Sequence, residues 1–87
     1  MYDLQLLPNP ANNDTELKFE LNSMRILSVE IYNLLGQSVY ELPKQTFWEG
    51  THSMQLNTSY MESGMSKIKL SDGTSSIKKI LLIANII

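Results

Sequence analysis

Residues Val29 to Val39 read as a strand, a tight turn and a returning strand. Val29 and Ile31 fall on one face and Glu30 and Tyr32 on the other, the two-residue period of a half-buried strand. Gly36 supplies the positive φ that a hairpin turn usually demands, and Val39 lies in the return. A chain built around such a unit must bury one sheet face against another layer, and no segment shows the sustained helical period that would supply a helix for the purpose. The same period recurs along the chain. Leu17, Phe19 and Leu21 alternate with Glu16, Lys18 and Glu20, and His52, Met54 and Leu56 share a phase within Thr51 to Asn57. Ser66, Ile68 and Leu70 point one way while Lys67 and Lys69 point the other. Short alternating runs at this spacing predict an all-β, Ig-like antiparallel sandwich of about seven strands.

The punctuation between the runs predicts the connections. Pro8-Asn9-Pro10 follows a first strand at Leu4 to Leu7; two prolines remove two N–H donors, so the strand must stop there or switch sheets. The fourth strand is expected to end near Leu42-Pro43, with a turn or bulge at Phe47 to Gly50. Ser59 with Glu62 has the spacing of a capping box, and Gly64 stands where a helix would stop. This pattern predicts one helical turn crossing between sheets. Ser71-Asp72-Gly73-Thr74 is a strong hairpin turn into a last strand, Ile77 to Ile83, whose apolar residues occupy both faces after Lys79. Such a strand is covered on both sides or awaits a partner.

The 87 residues fit a single domain spanning 1–87, and the net charge of −2 argues against a nucleic-acid surface, so no nucleic-acid partner is expected. No cysteine is present, and the longest apolar run, Ile80 to Ile83, is too short to span a bilayer. Met1-Tyr2-Asp3 lacks the pattern of a signal peptide. Enzyme signals are sparse. His52 is the sole histidine, and an imidazole without orienting partners reads as a strand residue rather than a base or ligand. The carboxylates are scattered over loops and outward positions, and Asp14 with Glu16 reads as surface solvation rather than a calcium site. Ser59 lies in no nucleophile elbow, and Gly36, Gly50, Gly64 and Gly73 form no phosphate loop. No enzyme activity, metal or cofactor is expected.

Binding signals remain. Phe47 and Trp48 stand together, and one of them is expected to close the core; an exposed Trp48 would suit carbohydrate stacking. Asn57-Thr58-Ser59 matches the glycosylation triplet, a motif short enough to arise by chance. Lys67, Lys69, Lys78 and Lys79 can cluster across the last hairpin, either as solvated guards of a sheet edge or as a recognition surface.

With the elements placed, the wording becomes specific. Leu6-Leu7-Pro8-Asn9-Pro10 resembles the Tyr-Pro-Asn-Pro opening of the C-terminal sorting domains of the type IX secretion system, found in Bacteroidetes-type bacteria. Val29 to Val39 resembles that family's central hairpin, and Gly50 with Leu56 to Met65 resembles its crossover. Ile68 to Gly73 and Lys78-Lys79-Ile80 resemble its closing hairpin, so the likeness runs in order over nearly the whole chain. The resemblance makes Pro8, Asn9, Pro10, Gly36, Gly64, Asp72 and Gly73 structural motif residues. It implies a non-enzymatic export label at the C-terminus of a larger secreted protein, carried through the periplasm to the cell surface or beyond. The implied partners are the type IX outer-membrane translocon and a sortase-like cysteine peptidase. Two departures stand out. Leu7 replaces the tyrosine before Pro8, and Gly64-Met65-Ser66-Lys67 replaces Gly-Met-Tyr-Phe. Losing a large inward side chain at Ser66 costs about 3–5 kcal/mol unless Met54, Met61 or Met65 refills the space or the register differs locally.

The two-faced apolar pattern beside a basic pair places the expected signal at Lys78, Lys79, Ile80, Leu81, Leu82 and Ile83. A receptor can add a strand to this edge or grip its side chains, and an exposed last strand can also support a weak homodimer. The competing reading is an Ig-like accessory or adhesion module that binds carbohydrate or protein through Trp48.

Overall fold

The cleanest alternation in the sequence becomes a strand with one face fully buried: Thr15, Leu17, Phe19 and Leu21 are all inside, and the residues between them face solvent or its margin. The computed structural model describes residues 3–85. Seven strands are formed: β1 (Gln5–Asn12), β2 (Asp14–Leu21), β3 (Arg25–Tyr32), β4 (Ser38–Phe47), β5 (Gly50–Asn57), β6 (Gly64–Ser71) and β7 (Ser76–Ile83). Their hydrogen-bonded order is β4-β3-β6-β7-β1-β2-β5, and all pairings are antiparallel except β1 with β7.

That order is divided into two layers at β1. Leu6 and Leu7 pair with Leu17 and Glu16 of β2, whereas Ala11 pairs with Ile83 of β7. The strand therefore switches sheets at Pro8-Asn9-Pro10 rather than stopping, and both X–Pro peptide bonds there are cis. One layer holds β2, β5 and the start of β1; the other holds β4, β3, β6, β7 and the end of β1. Leu4, Leu17, Phe19, Leu56, Leu27, Ile31, Ile68, Leu70 and Leu81 meet between them at 2% exposure or less. Ser66, Ile68 and Leu70 point inward as the alternation requires.

Two expectations about connections are corrected. Strand β4 continues through Pro43 to Phe47. It is an edge strand, so Pro43 removes no obligatory ladder bond, and the register against β3 shifts between Leu27 and Val29 to absorb it. The helical crossover turn is absent: the described chain has no helix, and residues Thr58 to Met61 form a single turn, with Met61 N donating to Thr58 O at 3.0 Å. Asn57 rather than Ser59 organises it, its Oδ1 accepting from Ser59 N at 3.0 Å and from Ser59 Oγ. The carbonyls of Thr58 and Met61 are taken by Asn85 Nδ2 at 2.8 and 2.9 Å, so they accept from a distant side chain instead of continuing a helix. Gly64, with φ of 143°, opens β6 opposite Ile83 rather than ending a helix.

Of the three methionines offered to refill the space at Ser66, only Met61 is buried, and it lies beside Ser66. Met54 is half-buried in β5, and Met65 points outward at 41% exposure. The site is not closed: a groove of about 490 Å³ remains beside Ser66 and Met61, walled by Leu35, Val39 and Tyr60. Phe47 is buried and Trp48 is 67% exposed, so the phenylalanine closes the core. His52 stacks on Phe19 with ring centroids 5.4 Å apart and meets Phe47 edge-on at 5.2 Å, a half-buried strand residue.

Candidate functional site

The closing hairpin is built on its turn. Asp72 N donates to Ser75 O, and the Asp72 carboxylate accepts from Ser75 N at 2.7 Å and Thr74 N at 2.9 Å. Those backbone donors, Ser75 first, hold the carboxyl well below the usual carboxylate range. Arg25 Nη1 reaches the other carboxylate oxygen at 3.2 Å, tying the turn to the start of β3. From this turn β6 and β7 run in unbroken register from Ser71–Ser76 to Gly64–Ile83.

Register decides which candidate signal residues a partner can touch. Leu81 is wholly buried and Ile83 is 3% exposed, so both are core residues. Ile80 and Leu82 face out at 49% and 40% exposure, and Lys78 is exposed on the same face. Lys79 takes the opposite phase, opposite inward-facing Ile68. Consecutive strand residues point to opposite faces, so the Lys78-Lys79 pair is split by the pleat. Lys78 instead stands opposite Lys69, and Lys67 opposite Ile80. Continuing across the sheet, Lys69 neighbours Glu30, which neighbours Glu41; Lys67 neighbours Tyr32; and Met65 neighbours Leu82. This outer face carries a groove of about 310 Å³ lined by Tyr32, Leu34, Met65, Lys67, Lys69 and Lys78, among others. The Tyr32 hydroxyl donates to Glu30 Oε1, and that bond with partial burial pushes its pKa up.

The expected free edge at Ile80–Ile83 is corrected. Strand β7 lies between β6 and β1, and the gap left where β1 changes sheets is filled by a side chain. Asn9 Nδ2 donates to Ile80 O at 3.0 Å, and Leu82 N donates to Asn9 Oδ1 at 2.9 Å. The amide presents one donor and one acceptor, as a strand residue would. Beyond it Ala11 pairs with Ile83, and Ala84 N donates to Ala11 O at 2.8 Å. Only Ser76–Lys79 pair with β6 alone among the described residues. The covered edge also removes the basis for dimerisation through Ile80–Ile83.

The motif residues are thereby placed. Asn9, flanked by Pro8 and Pro10, seals the β7 edge, and the carbonyl of Pro8 accepts from buried Thr15 Oγ1 at 2.7 Å. Gly36, with φ of 80°, closes the β3–β4 turn, where Asn33 Oδ1 accepts from both Leu35 N and Gln37 N at 3.0 Å. Gly73 lies in the Asp72 turn. Sequence reasoning missed Asn85. Its Nδ2 takes the two crossover carbonyls, its Oδ1 accepts from Asn13 N at 2.9 Å, and its N donates to Ser63 Oγ at 3.1 Å. A single asparagine after an apolar run is the only local signal for that role.

Among the described residues no group of histidine and carboxylate side chains could hold a metal ion, and no helix is long and apolar enough to cross a membrane. Comparison with known families matches residues 5–84 to the family described as secretion system C-terminal sorting domain. No curated protein matches the chain.

Proposed function

The chain belongs to the family of type IX secretion system C-terminal sorting domains, and on that premise we propose that it is an address label read by the outer-membrane translocon through the outer face of its closing hairpin. Sorting domains of this family belong to proteins exported to the cell surface or extracellular space, and the family is not one of enzymes. The finer reading is that this module is carried on a larger secreted cargo, which crosses the periplasm before recognition. A sortase-like cysteine peptidase then cuts ahead of the domain and anchors the cargo. We also read the two-layer strand order, with β1 shared between the layers, as Ig-like.

The observation that carries the recognition proposal is the half-exposed apolar pair Ile80 and Leu82 beside Lys78, on a strand whose alternate residues Leu81 and Ile83 are buried in the core. Large apolar side chains displayed on a sheet face that no other layer covers are what a binding partner desolvates. Truncating the chain from Lys78 is a poor test, because it also removes Leu81 and Ile83 from the core. The discriminating experiment fuses the chain to a secreted reporter in a type IX host and replaces Ile80 and Leu82 by serine. Export is expected to fall while the purified domain stays folded. Undiminished export of a folded double variant would refute recognition through this face.

A further inference from the structure

Three lysines stand on the outer face of β6 and β7 in an arrangement that costs stability. Lys69 and Lys78 are directly opposite each other, and like charges at such positions repel. The only ion pair among the described residues is Arg25 with Asp72, so Lys67, Lys69 and Lys78 have no salt-bridge partner there. The nearest acid by register, Glu30, stands across from Lys69 but accepts a hydrogen bond from Tyr32. Guarding a sheet edge accounts for Lys78, which lies on the stretch of β7 paired with β6 alone, but not for Lys67 and Lys69, because β6 is paired on both sides. A like-charge pair held on a sheet face that no other layer covers, in a chain of net charge −2, is a feature in search of anionic groups.

Resting on the sorting reading above, we propose that this face docks an acidic protein surface, with carboxylates meeting Lys69, Lys78 and Lys67 and apolar side chains meeting Ile80 and Leu82. The rows run from basic (Lys69 with Lys78) through mixed (Lys67 with Ile80) to apolar (Met65 with Leu82). A partner matching them carries acids at one end of a strip and apolar groups at the other. An anionic lipid surface fits less well. It would extend over Glu30 and Glu41, which continue the Lys69–Lys78 row across the sheet, and would meet the net negative charge of the chain. A compact acidic patch over Lys78 and Lys67 lies nearer to those lysines than to Glu30 and Glu41, which stand one and two strands beyond β6.

The test uses the reporter fusion in a type IX host. Lys69→Glu with Lys78→Glu is compared with Lys18→Glu with Lys44→Glu, which changes the net charge equally on other strands. A further variant, Lys69→Gln with Lys78→Gln, removes the repulsion without adding negative charge and is expected to be at least as stable as the parent. Charge reversal at Lys69 and Lys78 is expected to cut export by about tenfold or more, the neutral pair to reduce it, and the control to leave it unchanged. Equal export by all variants overturns the proposal, as does equal loss in the control, which would indicate a net-charge effect. Lysine-dependent binding of the purified domain to phosphatidylcholine vesicles doped with phosphatidylglycerol would overturn it in favour of a lipid. If Ile80 and Leu82 prove necessary while the lysines do not, the sorting reading stands and this inference alone falls.

Discussion

Replacing Asn9 by alanine removes the one side chain that completes the β7 edge where β1 leaves the sheet. Two hydrogen bonds go, the donation from Asn9 Nδ2 to Ile80 O at 3.0 Å and from Leu82 N to Asn9 Oδ1 at 2.9 Å. At roughly 0.5–1.5 kcal/mol each the pair is worth about 1–3 kcal/mol, and solvent access at Asn9 puts the expected loss at about 1–2 kcal/mol, because water re-satisfies the freed groups. In a domain of this size such a loss lowers the melting temperature by roughly 4–16 °C. Urea denaturation gives the free energy, and amide hydrogen exchange gives the location: Leu82 N–H is expected to lose protection while amides in the β2–β5 pairing keep theirs. Asn9→Asp separates the two bonds. A carboxylate still accepts from Leu82 N, so that amide stays protected, but its second oxygen faces the Ile80 carbonyl and the stability loss persists. Stability within about 0.3 kcal/mol of the parent, with unchanged exchange at Leu82, would refute the side chain's role as a substitute strand residue.

Leu81→Ala is expected to cost about 2–5 kcal/mol because Leu81 is fully enclosed. Leu82→Ala is expected to cost less than about 1 kcal/mol, and equal losses in the two variants would contradict the register of β7. Asp72 takes up its proton at lower pH in the folded chain than in the unfolded one, so its contribution is complete above the unfolded carboxyl value near pH ~4 and fades as pH falls below it. The stability gap between the parent and Asp72→Asn should therefore be constant near neutrality and shrink under acid; a gap that widens under acid would reverse the sign. Trp48→Ala is expected to change stability by less than about 0.5 kcal/mol and to leave export intact. A glycan screen that shows sugar binding abolished by the same change would instead favour the adhesion reading.

The alternation of β2 and β6 was legible because a strand has one local rule: every second side chain faces the same layer. Thr15 to Leu21 and Ser66 to Leu70 obey it without help from the rest of the chain. The turns at Gly36 and Asp72-Gly73 were legible for a similar reason, since positive φ and local side-chain bonding belong to a few adjacent residues. The crossover was misread because Ser59 and Glu62 carry a helical spacing, while the groups that settle the backbone there, Asn57 and Asn85, are partly remote in sequence. The signal residues were misgrouped because Lys78-Lys79-Ile80 reads as one motif in a line, whereas a pleat divides it between two faces.

By itself the sequence determined that this chain forms seven alternating strands, where most of its turns fall, and that it carries the ordered motifs of a sorting domain. These follow from periodicity and backbone preference, which act over a few residues. Only the tertiary structure decided that the edge of β7 is covered over Ile80–Ile83, that the Asn9 side chain closes it where β1 changes sheets, and that Lys69 and Lys78 confront each other on one face. Each depends on contacts between segments far apart in the chain. Asn9 and Leu82 are separated by 73 positions, and a donor and acceptor at that distance meet only once the core has set the two layers against each other.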